Sequence, residues 1–310
     1  DGLPGAGSPA NARWRGESHG YLAIPITDPV GGGAIVHLPP RRAAGAATSS
    51  DDVAEGGVRL ALRLPQLPER LAAWGDELWI VCPPESMGVR RVLSLTVERG
   101  ALGGSWTSPE AEGRLPSLPL LPPGDLGGFV GSSAGPIALL FDGSGRPTLL
   151  ACEREGWMPV RLPASVLEVP NRDRQRLWLT VSPDGLMLIS DDPSLLWLGR
   201  IQNASASDGA PLKVVEWRLS PISFVRADGS RAPSIADAPV MAGAHLVYPA
   251  WGADGSLRLW NPSAEICRPL ATIAGVRGPA ALVPLDQVGR VAVAWLEAAA
   301  NQPRSLPVPQ

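Results

Sequence analysis

One feature limits what this chain can become. Short apolar runs come in pairs, and an Asp/Gly turn joins the members of each pair. Gly20–Thr27 and Gly33–Leu38 flank Asp28-Pro29-Val30-Gly31, and Leu71–Trp74 and Leu78–Val81 flank Gly75-Asp76-Glu77. Ile137–Phe141 and Pro147–Cys152 flank Asp142-Gly143-Ser144-Gly145, and Arg176–Val181 and Leu186–Ser190 flank Ser182-Pro183-Asp184-Gly185. His245–Trp251 and Ser256–Trp260 flank Ala253-Asp254-Gly255, and Ala280–Pro284 and Arg290–Trp295 flank Asp286-Gln287-Val288-Gly289. A tight reversal between antiparallel strands needs backbone at positive φ, which Gly, Asn and Asp adopt at least cost. Each pair therefore reads as a β-hairpin.

The rest of the composition agrees. The 310 residues include 35 Gly and 34 Pro, which break helix interiors and exclude a helical bundle. With 45% hydrophobic residues the chain is too apolar for disorder and long enough to bury a large core. The hairpins recur at intervals averaging about 50 residues, a spacing that marks a repeat array such as a β-propeller. Further strands follow several hairpins: Arg91–Val97 and the proline-interrupted Leu118–Leu121, then Leu195–Ile201 and Leu212–Leu219, then Cys267–Ile273. Three or four strands per repeat is what a blade requires. The expectation is an all-β propeller of six blades, with seven as the alternative. Its ring is closed by N- and C-terminal strands sharing one blade, with Arg13–Ile24 completing the C-terminal pair. Residues 1–12 are expected as a flexible tail, 13–300 as the propeller and 301–310 as an extended tail.

The stretch GADGSLRLWNPSAEICRPLATI, Gly252 to Ile273, resembles one blade of the WD-repeat family. It has the Asp254-Gly255 turn, the alternating strand and Trp260-Asn261 where the family has Trp-Asp. TVSPDGLMLIS, Thr180 to Ser190, and GPAALVPLDQVGRVAVAW resemble the opening of such a repeat. The resemblance covers well under half the chain and lacks the family's Gly-His dipeptide. It implies a propeller that works as a protein-binding scaffold.

Chemistry-bearing motifs are sparse. No phosphate loop, GxGxxG fingerprint or GxSxG elbow is present, and Val130–Gly135 reads as a turn. His19, His37 and His245 have no second histidine at metal-ligand spacing, so each reads as structural. The adjacent pairs Asp51-Asp52 and Asp191-Asp192 point to opposite faces of a strand and cannot clamp one bond. Asp142, Asp184 and Asp254 read as turn formers. No catalytic, cofactor-binding or metal-binding residue is expected. Of the eleven Trp, Trp79, Trp178, Trp260 and Trp295 lie on apolar strands and read as packing between blades. Trp74 and Trp251 directly precede a turn glycine. They are the pair expected to anchor a partner, with packing as the competing reading.

Among the basic clusters, Arg41-Arg42, Arg90-Arg91 and Arg172/Arg174/Arg176, the pair Arg90 and Arg91 is taken as a further partner contact. A net charge of −3 argues against nucleic acid. Lys213 is the only lysine, a composition suggesting a GC-rich bacterial genome. Cys82, Cys152 and Cys267 lie far apart and read as three thiols, one bridge plus a free thiol being the alternative. No apolar run is long enough to span a bilayer. The chain begins at Asp1, and a cleaved secretory signal would account for that, so a periplasmic or extracellular location is favoured over a cytoplasmic one. The expected function is a non-catalytic interaction scaffold or accessory subunit that docks proteins through propeller faces, loops and tails. The alternative is a propeller enzyme or lectin acting on a carbohydrate or lactone at the central channel, with acids and His245 converging near the axis.

Overall fold

The computed structural model describes residues 11–13, 20–25, 32–38, 59–74, 77–96, 117–132, 135–153, 155–168, 177–182, 185–203, 213–276, 280–284, 291–296 and 303–307. All regular structure there is β except one short helix, α1 (Ala164–Glu168). The first sheet holds β1 (Asn11–Arg13), β2 (Gly20–Pro25), β3 (Gly33–Leu38) and β4 (Arg59–Leu64). The second holds β5 (Arg70–Trp74), β6 (Glu77–Val81) and β7 (Val92–Thr96). The third holds β8 (Asp125–Ser132), β9 (Gly135–Phe141), β10 (Pro147–Glu153) and β11 (Gly156–Val160). The fourth holds β12 (Leu177–Ser182), β13 (Gly185–Asp191), β14 (Ser194–Asn203) and β15 (Lys213–Ser220). The fifth holds β16 (Val240–Ala242), β17 (His245–Trp251), β18 (Leu257–Pro262) and β19 (Cys267–Ile273). The last holds β20 (Ala280–Pro284), β21 (Val291–Leu296) and β22 (Pro303–Pro307).

Every pairing is antiparallel, and each sheet is a meander in chain order. The first strands of the sheets touch in sequence: β1 meets β5, β5 meets β8, β8 meets β12, β12 meets β16, β16 meets β20, and β20 meets β1. That cycle of inner strands, with meanders radiating from it, is a β-propeller.

Two finer expectations are corrected. Four sheets are complete four-stranded blades, not six or seven; the sheets β5–β7 and β20–β22 have three strands each. In the second sheet the fourth position is taken by an irregular segment. Bridges Arg90↔Leu121 and Leu93↔Ser117 lay it antiparallel along β7, where the prolines of Leu118–Leu121 interrupt a ladder. The terminal strands also do not share a blade. β1 and β2 pair within their own sheet, while β22 pairs with β21 and takes the position intended for the N-terminal strand. The ring closes instead by β1 lying against β20. The stretch 301–310, expected as a tail, thus contributes a strand, and β1 begins inside the stretch 1–12.

Each hairpin read from the turns is present. The strands between those turns are apolar on both faces where a sheet is packed on both sides, as the second to fifth are. In β6, Leu78 and Ile80 join Ala23, Ile35 and Leu71, while Trp79 and Val81 join Phe129, Leu140 and Trp157. The alternation of a strand divides one run of residues between two separate cores. Five such clusters occupy the seams between consecutive sheets. Trp79, Trp197 and Trp260 are buried in these seams, and Trp178 is packed against one of them. Trp74 lies against such a cluster as well. The indole N–H of Trp197 reaches Ser165 Oγ at 2.9 Å and that of Trp217 reaches Arg161 O at 2.8 Å, pinning the link that carries α1.

The inner strand β8, DLGGFVGS, shows why glycine sits in a buried strand. A Cβ on Gly131 would lie 2.6 Å from Ala73 O of β5, and one on Gly128 would lie 2.7 Å from Leu179 Cβ of β12. Both neighbours come closer than any side chain permits. Gly131→Val is expected to destabilise the fold by about 1–3 kcal/mol in urea melts, as overpacking does. Gly143→Ala, in open space, is expected to stay within about 0.5 kcal/mol.

Candidate functional site

The acidic turns are built alike. Asp142 Oδ1 accepts hydrogen bonds from Ser144 N at 2.9 Å, Ser144 Oγ at 2.7 Å and Arg146 N at 2.9 Å. Asp254 Oδ1 accepts from Ser256 N at 3.1 Å and Ser256 Oγ at 2.7 Å, and Arg258 Nη2 donates to its Oδ2 at 2.9 Å. Asp228 accepts from Ser230 N at 2.9 Å and from the Ser230 hydroxyl. This third turn repeats at residues 228–230 the Asp-Gly-Ser of residues 142–144 and 254–256. The serine hydroxyl bond in each case holds the carboxyl below its usual range, to about 2 for Asp254. These acids are turn locks, as expected for Asp142 and Asp254. Asp184, Asp51, Asp52, His19, Arg41, Arg42, Arg172, Arg174 and Arg176 lie outside the described residues, as do the side chains of His37 and Trp295.

The four residues expected to meet a partner separate into different environments. Arg90 is an interior residue, 5% exposed. Its Nε donates to Glu69 Oε2 at 2.6 Å, its Nη2 to Glu69 Oε1 at 3.1 Å and its Nη1 to Gly124 O at 2.6 Å. A forked pair of this kind uses the planar guanidinium in full and ties three connections together. Arg91 stands at the surface within 3.7 Å of Glu85. Trp74 ends β5 opposite Glu77 and is half-buried against an interblade cluster, whereas Trp251 ends β17 and is 39% exposed. The structure thus does not gather the four into one patch.

A second polar fastening joins the fourth and fifth sheets. Asp191, 2% exposed, accepts the Ile235 N–H at 3.0 Å on Oδ2, and its carbonyl accepts from Arg231. Arg231 also pairs with Asp192 Oδ1 at 3.1 Å. Nearby the Tyr248 hydroxyl donates to Pro233 O at 3.2 Å and lies 3.5 Å from Cys267 Sγ. Burial pushes both the phenol and the thiol up, so neither ionises at neutral pH. Cys82, Cys152 and Cys267 form no disulfide.

Charged residues, Glu69 among them, stand at the end from which the inner strands β5, β8 and β16 start. Arg70 opens β5, Asp125 opens β8, and Asp237 precedes β16 by three residues. Ala236 N donates to Pro249 O at 2.9 Å, and the chain bends at Asp237 before β16 begins. Burial pushes the Asp237 carboxyl above its usual range, while the Ala238 N–H and the Arg70 charge act in the opposite direction. His245 is exposed in the turn at the far end of β16, so it does not converge with this acid. No group of three His, Cys, Asp or Glu side chains among the described residues has metal-binding geometry. No described helix is long and apolar enough to cross a membrane.

No protein-family profile matches this sequence, and no curated protein does. Solved structures do resemble it. One is a Bacteroides uniformis protein named as a candidate 6-phosphogluconolactonase, at 16% identity over 94% of this chain and 84% of that one, with a TM-score of 0.38. Another is YCF48 from Cyanidioschyzon merolae, at 15% identity over 99% and 87%, again with a TM-score of 0.38. At these values no functional residue is carried across.

Two outcomes test these assignments. Removing one partner of an enclosed charge pair strands the other, so Arg90→Met is expected to cost about 3 kcal/mol in chemical denaturation. Asp254 has a folded pKa of about 2 against an ordinary 3.8, so its contribution to stability is present above pH 4 and is lost as pH falls towards 2. Asp254→Asn is therefore expected to melt lower at pH 7 and to show a shallower acid loss between pH 4 and pH 2.

Proposed function

We propose that this propeller is a non-catalytic interaction scaffold or accessory subunit that docks partner proteins, with no reaction of its own. One observation carries the reading. Met87, 91% exposed, stands at the tip of a tight turn with φ at +80°. A non-glycine residue in that conformation costs energy, and such strain persists only where the surroundings hold it. Here Glu85 and Val89 close the turn by a 2.9 Å hydrogen bond, and Arg90 at its base is clamped to Glu69 and Gly124. The neighbouring segment on β7 exposes Leu120, 56% open to solvent. Apolar side chains presented on a rigid support bind with little ordering cost.

Trp251 and Arg91 supply secondary contacts in this reading, and the Gly252–Ile273 blade is a divergent WD-like repeat. The carbohydrate- or lactone-directed alternative lacks the expected convergence of His245, which is exposed at the end of β16 away from Asp237. The scaffold reading is tested by placing a photo-crosslinking residue at position 87 and activating it in the native host. One stoichiometric partner is expected, and Met87→Asp should abolish its co-purification while leaving the melting temperature within a few degrees. A chain that crosslinks to nothing and elutes alone would overturn the reading.

A further inference from the structure

The seams are not fastened alike. Between the second sheet and the third, the enclosed Arg90 fork spends its donors on Glu69 and on Gly124 O. Between the fourth and the fifth, the polar fastening ends on two neighbouring residues. Ile235 N donates to Asp191 Oδ2 at 3.0 Å, and Arg231 bonds Asp191 O and pairs with Asp192 Oδ1 at 3.1 Å. That ion pair is half exposed, where charges gain little from each other. Ile235 and Arg231 belong to the irregular connection between β15 and β16, residues 221–239. This connection is bound to the fifth sheet. Ser223 N donates to Ser263 O and Cys267 N to Val225 O, each at 2.7 Å, and Ala236 N donates to Pro249 O at 2.9 Å. The boundary with the fourth sheet therefore runs past Asp191.

The interior of this seam is incompletely satisfied. Asp191 is 2% exposed, and its Oδ1 is enclosed with no hydrogen-bond partner among the described residues. The indole N–H groups of Trp178 and Trp260, in the same cluster, are enclosed without an acceptor among those residues. Each such group gives up its hydration when the seam closes and recovers no bond, so each makes opening easier. The inner edge adds little, since β16 has three residues against eight in β8.

We infer that this seam is the joint at which the ring opens. The fourth and fifth sheets part along Asp191 without global unfolding, and the parting uncovers Tyr248 and Cys267. Elements with unsatisfied interior groups and few cross-links open as units in this way. The connection 221–239 travels with the fifth sheet, and the other seams stay shut. Met87 belongs to the second sheet, so the joint stands or falls independently of the docking reading.

Two of the chain's own thiols report on it. Cys267, 1% exposed, lies in this seam with its Sγ 3.5 Å from the Tyr248 hydroxyl. Cys152, 8% exposed, lies in the seam that Arg90 fastens. Exposure in the closed ring puts Cys152 first to react, and the joint puts Cys267 first. The purified full chain is treated with excess maleimide, and both sites are followed by peptide mass spectrometry. Each rate is normalised to that of the denatured chain. Cys267 is expected to react at least about tenfold faster than Cys152, at a rate that low urea barely changes. Cys152 should follow the steep urea dependence of global unfolding. Arg231→Gln, which removes the charge that crosses the seam, should speed Cys267 by about fivefold or more and leave Cys152 unchanged. In the unaltered chain, the Ile235 amide should exchange hydrogen through the same urea-insensitive opening, a readout that depends on no variant folding. Cys152 reacting as fast as Cys267, a steep urea dependence shared by both thiols or shown by the Ile235 amide, or an Arg231→Gln chain in which Cys267 is not selectively accelerated would each overturn the joint.

Discussion

The ring depends on how closely its inner strands approach. β8 passes within van der Waals contact of backbone on one side and of Leu179 on the other, and it does so at Gly131 and Gly128. Side chains at those positions would push the sheets apart at the narrowest radius, where there is no slack. Farther out the seams widen and fill with larger residues, Trp79 and Phe129 in one, Trp197 in the next and Trp260 beyond it. In the two seams that β8 borders, the step from glycine on the inner strand to Trp79 or Trp197 farther out narrows the seam towards the axis.

Two charged side chains enter the seams and are held there, while the indole N–H groups of Trp178 and Trp260 and the Ser190 hydroxyl are buried without a partner among the described residues. Arg90 links Glu69, the turn at Gly88 and the carbonyl of Gly124, and so fixes how the second sheet meets the third. Asp191 and Arg231 do comparable work between the fourth sheet and the fifth. A buried ion pair contributes little net stability against a hydrophobic alternative, but it tolerates few arrangements. Between the second sheet and the third the Arg90–Glu69 pair favours one register, whereas between the fourth and the fifth that work falls to the hydrogen bonds of Asp191, since the Arg231–Asp192 pair is half exposed.

The hairpins were legible because their determinants are local. An aspartate that accepts from the serine two residues on acts within four positions of chain, and a sequence shows it directly. β8 was illegible for the opposite reason. Its glycines answer to β5 and β12, far away in sequence, and Gly131 falls in the stretch Val130–Gly135 that reads as a turn. Arg90 looked like surface charge because its partner lies 21 residues upstream. The manner of closure was misread for the same reason: which strand borders β21 depends on residues 303–307, whose prolines suggest a tail and whose pairing is tertiary.

Five of the seams have clusters of their own, and no residue serves two of them. The molecule therefore has no single centre whose loss undoes everything. Its sheets relate to one another as links do in a bracelet. A duplicated or deleted link would change the number of joints without requiring any surviving joint to be rebuilt. Sheets can then differ in their outer strands, as the three described strands of β5–β7 and of β20–β22 differ from the four of the other sheets, while the joints near the axis keep one form.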